Sequence, residues 1–318
     1  MKGYTGIIII FVSFFVASLC TNVGIDAVGG IEHSHEVQNL SFSFETGKTY
    51  ELYGRTETQT TTRGETRSRI LSGGIKLICT GVTEEGNFLM DFINVYRRTE
   101  LPPKKGSADP MIVDTRTGPF EEMKRRDPAS IAMGIPLKIE FNTLGQVVQL
   151  IDSPELTSVI EEYKKINAKL LPTGAVFEDH QVKNVYFDAV SGVISSTFGF
   201  YPGEKKRPIT KVGESWEAEK DDGNGLKIKQ GWVLESIEEE TLKLAITGSS
   251  DSLSGSSSTS GTFILDKKSK WPVEGAFNLL STQRQPVPKE YATRENVDLK
   301  EVMINSSTVY RFASQPLD

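Results

Sequence analysis

The sequence predicts a mainly β protein of two related antiparallel β-meander units, curved sheets or half-barrels, with one amphipathic helix between them. Three observations predict it. Apolar and polar residues alternate with period two through most of the chain after residue 40. Turn residues recur between those runs. One stretch changes to helical spacing. In "GLKIKQGWVLES", Leu226, Ile228, Trp232 and Leu234 share one face, while Lys227, Lys229 and Glu235 take the other. "TLKLAITG" and "PLKIEF" alternate in the same way, through Leu242, Leu244 and Ile246, and through Leu137, Ile139 and Phe141. This is the pattern of antiparallel strands with one packed face and one wet face.

Taken in chain order, the first element is a leader. Lys2 precedes "GIIIIFVSFFVASLC", residues 6–20, an apolar run shorter than the ~20 residues of a membrane span. It reads as a secretory signal peptide, cleaved after Cys20 or Ala27. Lipid attachment at Cys20 is the alternative, although Leu19 fits that processing poorly. No second apolar run follows, so no transmembrane span is expected in the mature chain. "GRTETQTTTRGETRSR", 54–69, predicts a long polar hairpin turning at Gly64, its charges guarding exposed strand edges. "EEGN" (84–87), "NTLGQ" (142–146) and "DDGNG" (221–225) supply the glycine and Asn/Asp that hairpin turns need. A short helix is expected within "PFEEMKRRDPASIAMG". "SPELTSVIEEYKKINAKLL" opens on Ser153 as N-cap with Pro154 at the first helical position. Leu156, Val159, Ile160, Tyr163, Ile166 and Leu170 form its apolar stripe, and Pro172 ends it. "SSDSLSGSSSTSG", 249–261, reads either as a flexible loop or as polar strand ends around a turn. The resulting division is a signal peptide over 1–27, a first β unit over 40–152, a bridging helix over 153–172, a second β unit over 185–285 and a C-terminal extension over 286–318.

The relatedness of the units rests on an echo. "GKTYELY" and "GESWEAE" each place an aromatic, Tyr50 or Trp216, after Gly-x-Thr/Ser, at the start of a meander. An internal duplication explains it, with Tyr50 and Trp216 as matching inward anchors.

With 318 residues and a net charge of −6, the chain is large enough to fold without metal or disulfide. Its mild acidity, and basic runs (Lys104-Lys105, Arg125-Arg126, Lys205-Lys206-Arg207) scattered among acids, exclude a nucleic-acid binder. Once Cys20 leaves with the leader, Cys79 is the only thiol. It shares a face with Ile75 and Leu77, and so reads as a buried apolar residue.

"YPGEKKRPITKVGESW", "GTFILDKKSKWPVEG" and "GIPLKIEFNTLGQVVQL" resemble phrases of a secreted bacterial β-rich family catalogued only as a domain of unknown function. The matches are Gly47 to Tyr50, Gly86-Asn87, Leu137 to Val147, the helix from Ser153, and Pro208 to Trp216, within residues 40–285. The chain departs from that pattern at Ile209 and after Gln285. The resemblance implies an extracytoplasmic all-β protein and brings no catalytic residues. Residues 46–96 also resemble the N-terminal β-barrel of vitellogenin-type lipid-transfer proteins, through their opening strand and the meander "GIKLICTGVTEEGNFLMDF".

No catalytic constellation emerges. His33 and His35 have metal-ligand spacing but lie in a polar terminus. Asp179-His180 needs a serine in space, and "AVSGVISS" around Ser191 lacks the nucleophile-elbow pattern. Asp109, Asp114, Glu121, Glu122, Asp221 and Asp222 offer paired acids, but "DDGNG" is a turn rather than a calcium loop. Asn39 and Asn305 head glycosylation sequons, which matter only in a eukaryotic host. The expectation is therefore a non-enzymatic, secreted or envelope-tethered binding or structural module without cofactor, whose partner is an envelope component. The alternative is a carrier of a lipid or other hydrophobic ligand, in a cleft lined by Phe92, Phe141 and Tyr163. A hydrolase would require His180 to have a serine or an acid within hydrogen-bond reach.

Overall fold

The structure is a computed structural model that describes residues 38–103, 109–117, 128–168, 176–198, 208–209, 211–221, 227–252, 254–286 and 301–317. Its elements run β1 (Gln38–Asn39), β2 (Thr49–Thr62), β3 (Glu65–Val82), β4 (Phe88–Leu101), β5 (Met111–Asp114), α1 (Pro128–Ile131), β6 (Leu137–Phe141) and β7 (Val147–Leu150). Then follow α2 (Pro154–Asn167), α3 (Asp179–Phe198), β8 (Pro208–Ile209), β9 (Ser215–Asp221), β10 (Lys227–Ile237), β11 (Thr241–Ser252), β12 (Gly255–Asp266), β13 (Pro272–Pro286) and β14 (Glu301–Ala313).

Among the described residues, twelve strands form one antiparallel sheet in the order β7-β6-β4-β3-β2-β14-β13-β12-β11-β10-β9, with β5 paired to β4. The leader over 1–27 lies outside the described residues. The sheet is mainly meander, as predicted, but its two halves join into one surface. β14 pairs with β13 on one side and β2 on the other, from Ala313↔Tyr53 to Ile304↔Thr62. Residues 301–313, set apart by sequence as part of a C-terminal extension, are therefore a middle strand. Their alternation is hidden because Asn305, Ser306, Ser307 and Thr308 are polar on both faces. The same pairing corrects part of the reading of 54–69. The hairpin exists, and Arg63 and Gly64 both take positive φ (53° and 80°), the turn that matches strand twist. β2 has neighbours on both sides, whereas β3 meets β4 only from Ile70 onward, so among the described residues Glu65, Arg67 and Arg69 do lie along an open edge. Arg55–Glu57 (2.9 Å) and Arg67–Glu65 (3.6 Å) pair along their own strands.

The strand order is cyclic with one break. Starting at β9, space follows chain order to β14, passes to β2, and continues to β7. Helices α2 and α3 pack against each other and against β6 and β7, on one side of the break. α2 starts as predicted, with Ser153 Oγ accepting the Leu156 N–H at 3.2 Å. α3 was not predicted: residues 185–198, assigned by sequence to the second β unit, are helical. Gln181 accepts the Glu178 N–H at 3.1 Å, half of a capping box, and Val182, Tyr186, Val190 and Ile194 form a buried i, i+4 stripe. Lys183–Asp152 (2.6 Å) and Lys164–Asp179 tie α3 back to α2 and the end of β7.

One core serves both halves. Inward residues of β2–β6 (Leu52, Leu77, Phe92, Ile139) and of β10–β13 (Trp232, Leu234, Leu244, Phe263) belong to a single cluster with α2 and α3. One end of it is closed by residues 40–44. Leu40, Phe42 and Phe44 are buried, and Phe44 packs against Tyr50, Phe88, Phe141 and Trp271 at 4.7–5.9 Å between ring centroids. Phe42 N donates to Thr143 O (2.9 Å) and Ser43 N to Ser269 O (3.1 Å), so the segment bridges a turn from each half. Gly145 in the first of these turns has φ +87°, and a Cβ there would stand 2.8 Å from Phe42 Cε2. Where β14 stops, the Trp271 indole donates to the Glu51 carbonyl at 3.0 Å, satisfying a β2 group beyond the end of its neighbour.

Candidate functional site

Among the described residues, those singled out by sequence do not converge on a catalytic centre. His180 is exposed in the first turn of α3 and has no hydrogen-bond or ion-pair partner among the described residues. Its neighbour Asp179 pairs with Lys164. Ser191 lies eleven residues further along the helix, roughly 16 Å at 1.5 Å per residue. The condition set for a hydrolase is not met. Cys79 is buried with its Sγ–H directed at Gly81 O (3.6 Å), and burial pushes the thiol pKa up, which suits a packing role. Among the described residues no three His, Cys, Asp or Glu side chains gather in a group fit for a metal. His33, His35, Glu121, Glu122 and Asp222 lie outside those residues. Asp109 is exposed. Asp114 is bound by Arg116 through three hydrogen bonds of 2.8–3.0 Å. Asn305 is exposed and accepts from Thr282 Oγ1 at 3.0 Å.

The residues proposed to line a lipid cleft belong to the core. Phe92 and Phe141 are each 0% exposed. Tyr163 packs between helices, against Phe177 (5.5 Å) and Tyr186 (6.1 Å). Tyr50 and Trp216 both face inward, Tyr50 within the aromatic end and Trp216 on edge strand β9, stacked on Trp232 at 6.2 Å.

What sequence reasoning missed is how the inner face changes along the strands. Register places successive inward residues in rows across the sheet. The row Leu234, Leu244, Phe263, Gly275, Phe312 is apolar. The next is Trp216, Trp232, Ile246, Gly261, Phe277, Tyr310, with Phe277 stacked on Tyr310 at 4.4 Å. Burial pushes the Tyr310 phenol pKa upward. Beyond it, bulk and apolarity fall away. Gln230, Gly248, Thr259, Leu279 and Thr308 come next, then Ile228, Ser250, Ser257, Ser281 and Ser306. These rows form a cleft of about 200 Å³ over β10–β13, lined by Gln230, Gly248, Ser250, Ser257, Ser281 and Gln283 among others. The 249–261 run is thus the β11–β12 hairpin rather than a flexible loop. Its alternate residues are half-buried inward and exposed outward, although the sequence is nearly all serine, threonine and glycine. Past β2 the inner face turns basic. Arg69 of β3 is half-buried, and burial first, then the Arg97 charge, lowers its pKa.

No protein-family model and no curated protein matches the chain. The resemblance carried by "YPGEKKRPITKVGESW" therefore assigns no family. Three solved structures align over most of its length. DynF from the dynemicin biosynthesis pathway of Micromonospora chersina is 6% identical, covers 92% of each chain and gives a TM-score of 0.20. An outer membrane channel from Pseudomonas putida is 8% identical over 86% of this chain and 97% of that one, at TM-score 0.18. A DUF1329 family protein from Desulfovibrio piger is 9% identical over 83% and 84%, at TM-score 0.14. At such scores the alignments carry no argument about fold or function.

Proposed function

We propose that this chain is a non-enzymatic, extracytoplasmic binding module whose ligand surface is the polar end of the sheet's inner face. The location rests on the charged start and apolar run of residues 2–20. The binding surface rests on one observation: the inner face passes from filled aromatic core to a concave trough of hydroxyls, amides and glycines. Small polar side chains at inward, shielded positions add little to folding, and they leave room and hydrogen-bond capacity for a ligand. The envelope component expected as partner would present polar groups to this trough. The lipid-carrier reading has less support, because Phe92 and Phe141 contribute to the core instead of lining a cleft.

Two measurements test the proposal on the full chain. Lipid extraction with mass spectrometry should recover no stoichiometric lipid; a bound lipid at one per chain would restore the carrier. A thermal-shift screen against polar small molecules should find stabilising ligands, by about 2–4 kcal/mol at 100–1,000 times Kd. Ser257→Leu, which fills the trough from β12, should abolish those shifts. Shifts that survive in Ser257→Leu would overturn the trough as the binding surface.

A further inference from the structure

One row starts in the trough, with Ser250, Ser257 and Ser281, and continues beyond it to Ser306 and Thr60. Ser250 of β11, Ser257 of β12, Ser281 of β13, Ser306 of β14 and Thr60 of β2 are directly opposite one another in register. Neighbouring strands stand ~4.8 Å apart, so five hydroxyls recur at that interval across the inner face. The outer members satisfy each other, Ser250 with Ser257 at 2.7 Å and Thr60 with Ser306 at 3.3 Å. Ser281 stands between these pairs. It is 8% exposed, lines the cleft, and its hydroxyl has no hydrogen-bond partner among the described residues. Its oxygen opens on the cleft rather than being sealed in the fold, so it can hydrogen-bond a group supplied from outside the chain.

The row also states what that group is. On β11, β12, β13, β14 and β2, the three successive inward rows from Gly248 to Thr62 contain no charged side chain, and Lys229 of β10, the charged residue lining the cleft, is paired with Glu219 at 3.4 Å. An anionic ligand would call for Arg or Lys within them. Hydroxyls donate and accept equally, which matches a ligand whose own groups are hydroxyls. Leu279, one row below, and Ile228 of β10 supply an apolar surface beside the hydroxyls. Alternating hydroxyl and C–H surface on an uncharged molecule is the chemistry of a neutral saccharide.

We propose that the Ser250–Thr60 row is a subsite for a neutral saccharide lying across strands β11 to β2, with Ser281 as its central hydrogen-bonding contact. This rests on the trough being the ligand surface. The test is isothermal titration calorimetry of the full chain with cellohexaose, maltohexaose and chitohexaose, and with a uronic-acid hexasaccharide as the acidic counterpart. At least one neutral hexasaccharide should bind. Ser281→Ala should weaken it by about two- to twelvefold, the value of one hydrogen bond, without lowering Tm, because the hydroxyl removed has no partner within the fold. An unchanged affinity in Ser281→Ala overturns the subsite. So does failure of all three neutral sugars. If the acidic sugar alone binds, and Ser257→Leu abolishes it, the saccharide assignment by charge is wrong while the trough remains the ligand surface. If a sugar binds equally well to Ser257→Leu, both readings fall.

Discussion

Single residues on the outer face hold the sheet where its inner face has no bulk to offer. Gly74 leaves room for Tyr53, whose ring carbon would stand 2.6 Å from a Cβ at that position. Tyr53 stacks on Tyr96 (6.2 Å between centroids), and the Arg116 guanidinium lies 4.2 Å from the Tyr96 ring centroid. Burial, then hydrogen bonding to Glu51, pushes the Tyr53 phenol up to about 12. Arg116 is placed by Asp114, whose carboxylate is almost wholly covered, and the Arg116 hydrogen bonds hold its pKa below the usual value. The sign of the resulting pH dependence follows. An unfolded aspartate titrates near ~3.9, so the contribution of Asp114 is complete above that value and is lost as pH falls through the lower folded one. Asp114→Asn should therefore destabilise at neutral pH. Because Arg116 is half-exposed, the effect should be about 1–2 kcal/mol. In urea titrations, the gap between wild type and Asp114→Asn should stay constant down to about pH 4 and close below it. A gap that persists undiminished to pH 2 would mean that Asp114 acts through packing alone.

Elements were legible in the sequence to the degree that side chains advertise their surroundings. α2 announced itself through Ser153, Pro154 and a wide apolar stripe. α3 did not, because Val182, Val190, Val193 and Ile194 are β-branched and Gly192 interrupts the pattern, all weak helix formers. Its helical state is imposed by packing against α2 and β7, and the surviving signal was the four-residue spacing of Val182, Tyr186, Val190 and Ile194. The same logic yields a prediction. Nothing lies within 4 Å of where a Cβ would sit on Gly192. Gly192→Ala should raise stability by about 0.5–1 kcal/mol through helix propensity and unfolded-state entropy, read as a shift of the urea midpoint with unchanged slope. A loss of stability would show that α3 is not a regular helix at that point. The candidate site was the least legible element of all. Period two can be read only when opposite faces differ in polarity. In β11 and β12 serine occupies both faces, so which hydroxyls point inward is fixed by the register to Leu244, Ile246 and Phe263 further down the strands. The sequence around 249–261 contains no trace of it.

At the scale of the whole molecule, the organising fact is that β2 and β14, far apart in sequence, pair in the middle of the sheet. Two independent β units would each close a core of their own, and a terminal extension would be dispensable. Here β14 lies between β13 and β2, and Phe312 contributes to the core shared by both halves. Residues 40–44 cross from the Thr143 turn to the Ser269 turn, and Trp271 reaches across to Glu51, so the two halves are also tied at the closed end. Removing residues 301–318 should thus do more than shorten a tail. It would leave β2 and β13 with unpaired inner edges, and it would expose Phe277, Leu279 and Leu52 across the gap. Buried backbone groups without partners and a split apolar core are each costly. The truncated chain should lose its cooperative transition and associate through its new edges. The full chain should unfold in one step, with tryptophan fluorescence and far-UV circular dichroism changing together. If the truncated chain instead keeps two separate unfolding transitions with native-like circular dichroism, the halves are autonomous domains. The hydroxyl row running from β11 through β14 to β2 would then be an accident of their contact. The saccharide subsite is tied to the same strand: a ligand that spans Ser281, Ser306 and Thr60 can bind only where β14 has already joined the halves.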